Sequence, residues 1–413
     1  MTSEPPREAF VWVWLPGADE PVVAGRLDAA GDLVDFVYGR SYLARGEAIP
    51  LYDPELPLRS GRIAPLPGMS IAGCIADAGP DAWGQRVVMH RLLGRAGRDA
   101  EPADLGPLTY LLESGSDRTG ALDFQASPET YLPREDGADL ESLLRAADQV
   151  ESGTPLPPAL ADALLAGSSI GGARPKAALR DGPRSLIAKF SAADDRYPVV
   201  KAEFLAMQLG RMVGLDVAAT ELTRVLDRDV LLVERFDRPG GGRRRAMVSA
   251  LTLLELGETM GRYASYADLA DVVAARFDDA IPALRELFAR IVFNVLAGNT
   301  DDHARNHSAF WDGGGLTLTP AYDICPQLRS GGEATQAMAI GRDGFRYSQV
   351  AGCIVAAPVY RLTQAEAREI VEDQIETIES RWSEACELAR LTEVERTYFW
   401  QRQFLNPYAL EGR

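Results

Sequence analysis

The chain has 413 residues, 46% of them hydrophobic, and a formal net charge of -17, so it holds enough apolar material for two cores or a two-lobed one. That acidity argues against a broad nucleic-acid grip by this chain itself, because neutralising phosphates takes a basic face. The four cysteines, Cys74, Cys325, Cys353 and Cys386, form no C-x-x-C pair, which argues against a zinc ribbon or disulfide framework and suits a reducing cytosol.

The N-terminus lacks the basic and apolar regions of a signal peptide, and no apolar run approaches about 18 residues. The expectation is a soluble, cytoplasmic protein that does not enter a membrane. In chain order, Phe10 to Leu15, Val22 to Leu27 and Leu33 to Tyr38 are β-branched and aromatic runs separated by turn clusters. They predict an antiparallel sheet. Asp81 to Leu93 reads as a helix bearing Trp83, Val87, Val88 and Leu92. A polar loop, Ser114 to Gly120, leads to Ala121 to Phe124, and Gln125 to Gly137, rich in Pro, Ser, Glu and Asp, is the best linker.

Helical patterns follow at Leu140 to Val150 and Pro158 to Leu165, and then comes a glycine-bearing stretch, Gly167 to Lys176. Strand patterns at Ser185 to Phe190 and Val230 to Phe236 flank an amphipathic helix at Lys201 to Val213. Gly240 to Arg245 reads as a solvated hairpin loop. From Ser249 the chain is mainly helical, apart from a polar loop and a short strand at Leu316 to Leu318. Thr363 and Glu366 form a capping box that starts a long helix, whose Val371, Ile375, Ile378, Trp382, Ala385 and Ala389 face a core. The expected division is a β-rich region over 1–125, a second region over 126–238 and a mainly helical one over 239–413.

The chemistry-bearing residues fall in an informative order. Gly171 and Gly172 let a backbone approach an anion closely, although neither a Walker A loop nor G-x-G-x-x-G is present, and an ordinary turn is an equal reading. The only lysines among 43 basic residues are Lys176, Lys189 and Lys201, and a lysine suits a compact charge on a phosphate. Lys189 sits in the apolar strand pattern Ile187-Ala-Lys-Phe190, like the V-A-I-K strand of kinases, and Glu203 on the next helix is a candidate partner. Glu234 and Phe236 lie where β-rich structure gives way to helices, the place of a kinase hinge. Asp301 and Asn306 have the D-x-x-x-x-N spacing of a kinase catalytic loop, and Asp323 ends the Leu316 to Leu318 strand where a kinase places a metal-binding aspartate. Asp302 and His303 read as the framework of that loop. His303 and His307 have the spacing of a zinc helix but lack its internal Glu.

Ser169-Ile-Gly-Gly-Ala-Arg-Pro-Lys176, Val233-Glu-Arg-Phe-Asp-Arg238, Asn299-Thr-Asp-Asp-His-Ala-Arg-Asn306 and Pro320-Ala-Tyr-Asp-Ile324 together resemble the HipA family, serine/threonine kinases that act as toxins of toxin-antitoxin systems. The resemblance implies an α+β, two-lobed protein-kinase-like fold with an N-terminal β-rich subdomain, ATP and Mg²⁺ as cofactors, and protein phosphorylation. By matching motif, Asp301 is the catalytic base, Asn306 and Asp323 hold metal, and Lys189 contacts phosphates. Glu234 and Phe236 frame adenine, while Ser169, Ile170, Gly171, Gly172, Ala173, Lys176, Glu203 and His303 complete the nucleotide site. Ser169, or Ser168, is the expected autophosphorylation site, in a loop that reads Arg174-Pro175 where the best-known members have Gln-Glu.

The implied partners are a small HipB-like helix-turn-helix antitoxin and a protein substrate, with aminoacyl-tRNA synthetases among the family's targets. DNA is reached only through the antitoxin. The alternatives are a small-molecule phosphotransferase, which shares the order of parts, and a catalytically silent corepressor bound to the antitoxin.

Overall fold

The structure is a computed structural model that describes residues 4–93, 105–134, 138–165, 174–192, 195–329 and 331–413. Its chain forms two compact units: Met1–Asp194 with Thr223–Val248 and Phe310–Gly314, and Asp195–Leu222 with Ser249–Ala309 and Gly315–Arg413.

The first unit opens with β1 (Glu8–Val13), β2 (Val22–Ala30), β3 (Leu33–Tyr38), β4 (Arg62–Ile63) and β5 (Leu122–Gln125). They form an antiparallel sheet in the order β4-β3-β2-β1-β5. The predicted strands are there because alternating apolar residues meet across the register, Ala9 opposite Leu27 and Leu27 opposite Phe36. A bulge between Val11 and Trp12 falls where β2 carries Gly25. A Cβ on Gly25 would stand 2.2 Å from the Val37 carbonyl oxygen, so only glycine fits. The polar stretch after β5 is strapped to the sheet. Tyr131 packs 5.4 Å from the rings of both Trp12 and Trp14, and Arg134 donates to Asp123 Oδ1 at 3.1 Å.

A second sheet, β6 (Lys176–Asp181), β7 (Arg184–Phe190), β8 (Thr220–Val225) and β9 (Arg228–Glu234), has the order β6-β7-β9-β8. One face of it, with Ala177, Leu186, Ala188, Phe190, Val230 and Leu232, closes a core against the Ala82–Leu93, Leu140–Ser152 and Pro158–Leu165 helices. Trp83 lies at its centre, fully buried, and its indole Nε1 donates to the Lys176 carbonyl at 2.9 Å, which satisfies the ring's one polar atom. Trp83→Ala is expected to cost about 3–5 kcal/mol, as large-to-small core changes do, measured as a fall in the denaturant midpoint.

The second unit is helical, as expected from Ser249 onward. Residues Leu287 to Ala297, the apolar run that precedes the polar loop, are the buried end of the Ala280–Ala297 helix. The long helix Gln364–Leu388 begins at the Thr363–Glu366 capping box, with both reciprocal bonds formed. Val371, Ile375, Ile378, Ala385 and Ala389 are buried, and Trp382 packs on Trp400 and Phe404 at 4.8 and 5.2 Å. Lys201, which had no reading beyond its charge, clasps this end of the unit. Its Nζ donates to Glu395, 3.2 Å away, and to the Arg390 carbonyl at 3.1 Å.

Candidate active site

The Ala280–Ala297 helix ends at Gly298, whose φ of +71° turns the chain into the polar loop. A Cβ there would stand 2.6 Å from the Gln403 carbonyl oxygen. Gly298→Ala therefore meets both a left-handed backbone and a clash. It is expected to cost about 1–3 kcal/mol and to lower turnover as the loop shifts, read by thermal melting beside a kinase assay.

Beyond Gly298, Asn299 returns to the helix through two bonds to Asn294, N to O at 2.9 Å and Nδ2 to Oδ1 at 3.0 Å. Asn294 then donates to Asp302 Oδ2 at 2.6 Å. The same oxygen accepts from the Tyr266 hydroxyl at 2.5 Å and lies 2.8 Å from His307 Nε2. Three groups on one buried carboxylate oxygen hold the loop. Burial and then the Asp302 charge push the Tyr266 phenol well above its ordinary pKa, which keeps it a donor. Asp302 is thus framework, as read from the sequence. Its histidine partner is His307, four residues past His303, because the short 3-10 turn Ala304–Asn306 brings His307 back to the buried side.

Asp301, one residue earlier, is exposed. Asn306 Nδ2 donates to the Asp301 carbonyl at 3.4 Å, and the Asn306 amide donates to the His303 carbonyl at 2.8 Å. The Ala321-Tyr322-Asp323 segment is tied to the loop, since the Tyr322 hydroxyl donates to the Arg305 carbonyl at 2.7 Å. Asp323 itself holds φ at +58°, a conformation disfavoured for an aspartate and common at functional positions.

The Asp301 carboxyl is raised above the ordinary aspartate pKa, first by partial loss of solvent, against an opposing pull from His303, and then by the nearby charges of Asp323 and Asp302. With Asp301 as the expected base, which works deprotonated, kcat/KM should fall as pH drops, at a value above the ordinary aspartate range. His303→Ala should move that acid limb higher still, measured as a pH-rate profile at fixed ionic strength.

In the first unit, Ser168, Ser169, Ile170, Gly171, Gly172 and Ala173 lie outside the described residues. Lys176 on β6 stands opposite Lys189 on β7, and Leu231 on β9 stands on the other side of Lys189. The two lysines therefore leave the same sheet face, opposite the one that closes the core. Lys176 is 2% exposed, and its Nζ meets Asp81 Oδ2 at 2.9 Å. The other oxygen of Asp81 accepts from the Gly84 amide at 2.7 Å, at the start of the Ala82–Leu93 helix. Burial raises the Asp81 pKa, opposed by the Lys176 charge. Lys189 is half-buried and Glu234 exposed at the end of β9. Phe236 is half-buried, edge-on to Phe310 at 5.8 Å. Glu203 belongs to the second unit, buried on the Val199–Met212 helix.

The Val233 to Arg238 motif holds more than hinge candidates. Arg235, Asp237 and Arg238 form a buried ion cluster with Asp117 that sequence reasoning missed. Arg235 donates to Asp117 Oδ1 at 2.8 Å and Asp237 Oδ2 at 2.7 Å, and Arg238 donates to the same two oxygens at 2.9 and 2.8 Å. Asp237 also accepts from the Gly120 amide at 2.8 Å. Burial alone would raise Asp117 and Asp237, but the guanidiniums of Arg235 and Arg238 outweigh it and hold both carboxyls below their ordinary pKa. The expected solvated run at Gly240 to Arg245 also needs correction. Gly240, Gly241 and Gly242 do turn with positive φ, but Arg244 is buried, stacks over Trp14 at 3.6 Å and donates to the Ser116 carbonyl at 2.8 Å.

With this geometry in view, comparison with known proteins is direct. Residues 168–382, more than half of the chain, match the model of the HipA-like C-terminal domain. The chain is 29% identical over 141 residues to the serine/threonine-protein kinase toxin HipA of Shewanella oneidensis, a match that spans 30% of this chain and 33% of that toxin's length. It is 27% identical over 332 residues to the Sinorhizobium fredii protein Y4mE, which carries a kinase name, across 72% of this chain and 73% of the relative. The solved complex of Shewanella oneidensis HipA with HipB and operator DNA contains a chain of the same fold, with a TM-score of 0.70 at 21% identity over 92% of this chain and 93% of that one. The chain therefore belongs to the HipA-like kinase family.

Proposed function

We propose that this chain is an ATP- and Mg²⁺-dependent serine/threonine protein kinase, the toxin of a HipBA-like toxin-antitoxin pair. The observation that carries the reading is the division of labour in the catalytic loop. Asp302 is locked by Tyr266, Asn294 and His307, while its neighbour Asp301 stays exposed. In this role Asp301 accepts the proton of a substrate serine or threonine hydroxyl, and the locked framework keeps the carboxylate from wandering.

The donor set fits a magnesium ion. The Asp323 charge raises Asp301's cost of ionising, which a nearby cation relieves, and an Asn with an Asp suits a hard ion completed by phosphates and water. Among the described residues there is no group of three or more His, Cys, Asp or Glu that would cage a metal unaided. Asn306 and Asp323 would hold the ion, and when bound it supplies charge neutralisation at the transferring phosphoryl group. Lys189 meets the nucleotide phosphates, and Glu234 and Phe236 frame the adenine. Lys176 acts from its pairing with Asp81, at the root of the glycine-bearing stretch. Ser169, or Ser168, in that stretch takes an autophosphorylation.

The partner reading rests on the relative solved with HipB and operator DNA. A chain of net charge -17 fits a pair in which the antitoxin provides most of the DNA-binding charge. No helix among the described residues is long and apolar enough to cross a membrane. The test is expression without an antitoxin. Native protein is expected to arrest growth, with Asp301→Asn and Lys189→Met at equal abundance failing to do so. Arrest by all three would contradict toxicity through phosphoryl transfer.

A further inference from the structure

Arg329 follows Asp323 along the chain of the second unit. It is 6% exposed, yet none of its three guanidinium nitrogens has a hydrogen-bond partner among the described residues. A buried guanidinium without an anion is costly, so a site that keeps one invites a counter-ion. Shortly beyond Arg329 in the chain, Gly331 and Gly332 line an open depression with Arg402, Asn406 and Tyr408, although Arg329 is not itself one of the residues that line it. Glu333 and Glu411 stand exposed at this depression and do not hydrogen-bond to Arg329.

Fully buried Gln403 likewise leaves both atoms of its side-chain amide without a partner. The segments carrying Arg329 and Gln403 converge on one point. The Gln327 amide donates to the Gly298 carbonyl at 2.9 Å, and the Gln403 backbone packs on the Cα of the same glycine. A guanidinium with all its donors uncommitted presents a planar fork that matches two oxygens of a tetrahedral anion.

We propose that the Arg329 guanidinium forms a binding site for a phosphate-class oxyanion. It uses none of the residues assigned to the nucleotide and does not depend on the kinase reading. Inorganic phosphate and a phosphate monoester present the same oxygens, and the test separates them.

The full chain, free of nucleotide, is titrated by calorimetry and melted in the presence of inorganic phosphate or phenyl phosphate, with ionic strength fixed by chloride. Saturable binding and a rise in Tm are expected with at least one of them. Tighter binding of phenyl phosphate would mark an esterified ligand, and tighter binding of inorganic phosphate a free one. Arg329→Met is expected to abolish the effect. Without added anion it should melt no lower than the native chain, since it removes an uncompensated buried charge. Arg329→Lys keeps the charge but not the fork, should weaken binding by about tenfold or more, and carries the test if the Met variant fails to fold. Lys189→Met should bind as the native chain does. Binding lost in Lys189→Met but kept in Arg329→Met, or no saturable binding by the native chain, would overturn the proposal.

Discussion

Asp301→Asn is expected to lower kcat for phosphoryl transfer by about 10²–10⁴-fold, the range for loss of a positioned general base, with KM for ATP nearly unchanged. It should leave stability untouched, because the Asp301 side chain is exposed and the loop is held through Asp302. Asp302→Ala makes the contrast. It strips a shared acceptor from Tyr266, Asn294 and His307, all buried, and each orphaned group costs about 1–3 kcal/mol. Steady-state kinetics and urea denaturation on both variants should separate the roles: rate alone for Asp301, rate and stability together for Asp302. A loss of stability in Asp301→Asn equal to that in Asp302→Ala would show that both are framework.

The second large effect is on stability. Asp237→Ala leaves the buried guanidiniums of Arg235 and Arg238 with Asp117 as their remaining carboxylate, and breaking a buried pair in this way costs about 3–5 kcal/mol. The midpoint of chemical denaturation is the readout, and a change within about 0.5 kcal/mol, the range of an ordinary surface substitution, would contradict the account. The same cluster sets an acid limit. Asp117 and Asp237 have lowered pKa values in the folded chain. Their contribution is fully present above the unfolded aspartate pKa of about 3.9 and is lost as pH falls through the lower folded values. Acid unfolding of the native chain should therefore set in only below about pH 4 on account of these groups, and Asp237→Ala should flatten that part of the profile.

Local pattern made much of the architecture legible. Leu33 to Tyr38, Pro158 to Leu165 and Leu316 to Leu318 form with the bounds their composition suggested, and the Thr363 capping box starts its helix where it should. Each depends on neighbours close in sequence. What escaped depends on distant ones. Lys176 opens a strand and pairs with Asp81, 95 residues away, so its place in a glycine-bearing stretch concealed a buried ion pair.

Arg235 meets Asp117 across 118 residues, and nothing in Val233 to Arg238 reveals that Arg235 and Arg238 pair with buried carboxylates while Glu234 stays exposed. Arg244 looked solvated among glycines and arginines, because the ring it covers, Trp14, belongs to the opening strands' end of the chain. In the Gly298 to Asn306 loop the framework role of Asp302 was readable from its offset to Asn306, whereas the choice of His307 over His303 required the 3-10 turn between them.

The most direct test of the kinase account is transfer of labelled γ-phosphate from ATP by the native chain alone, with Mg²⁺ or with a chelator, followed by mapping of the labelled residue. The account predicts phosphoserine at Ser169 or Ser168, formed with Mg²⁺ and absent with chelator. A chain that binds ATP and Mg²⁺ yet labels neither itself nor any added protein, or one that labels equally with and without the metal, would contradict it.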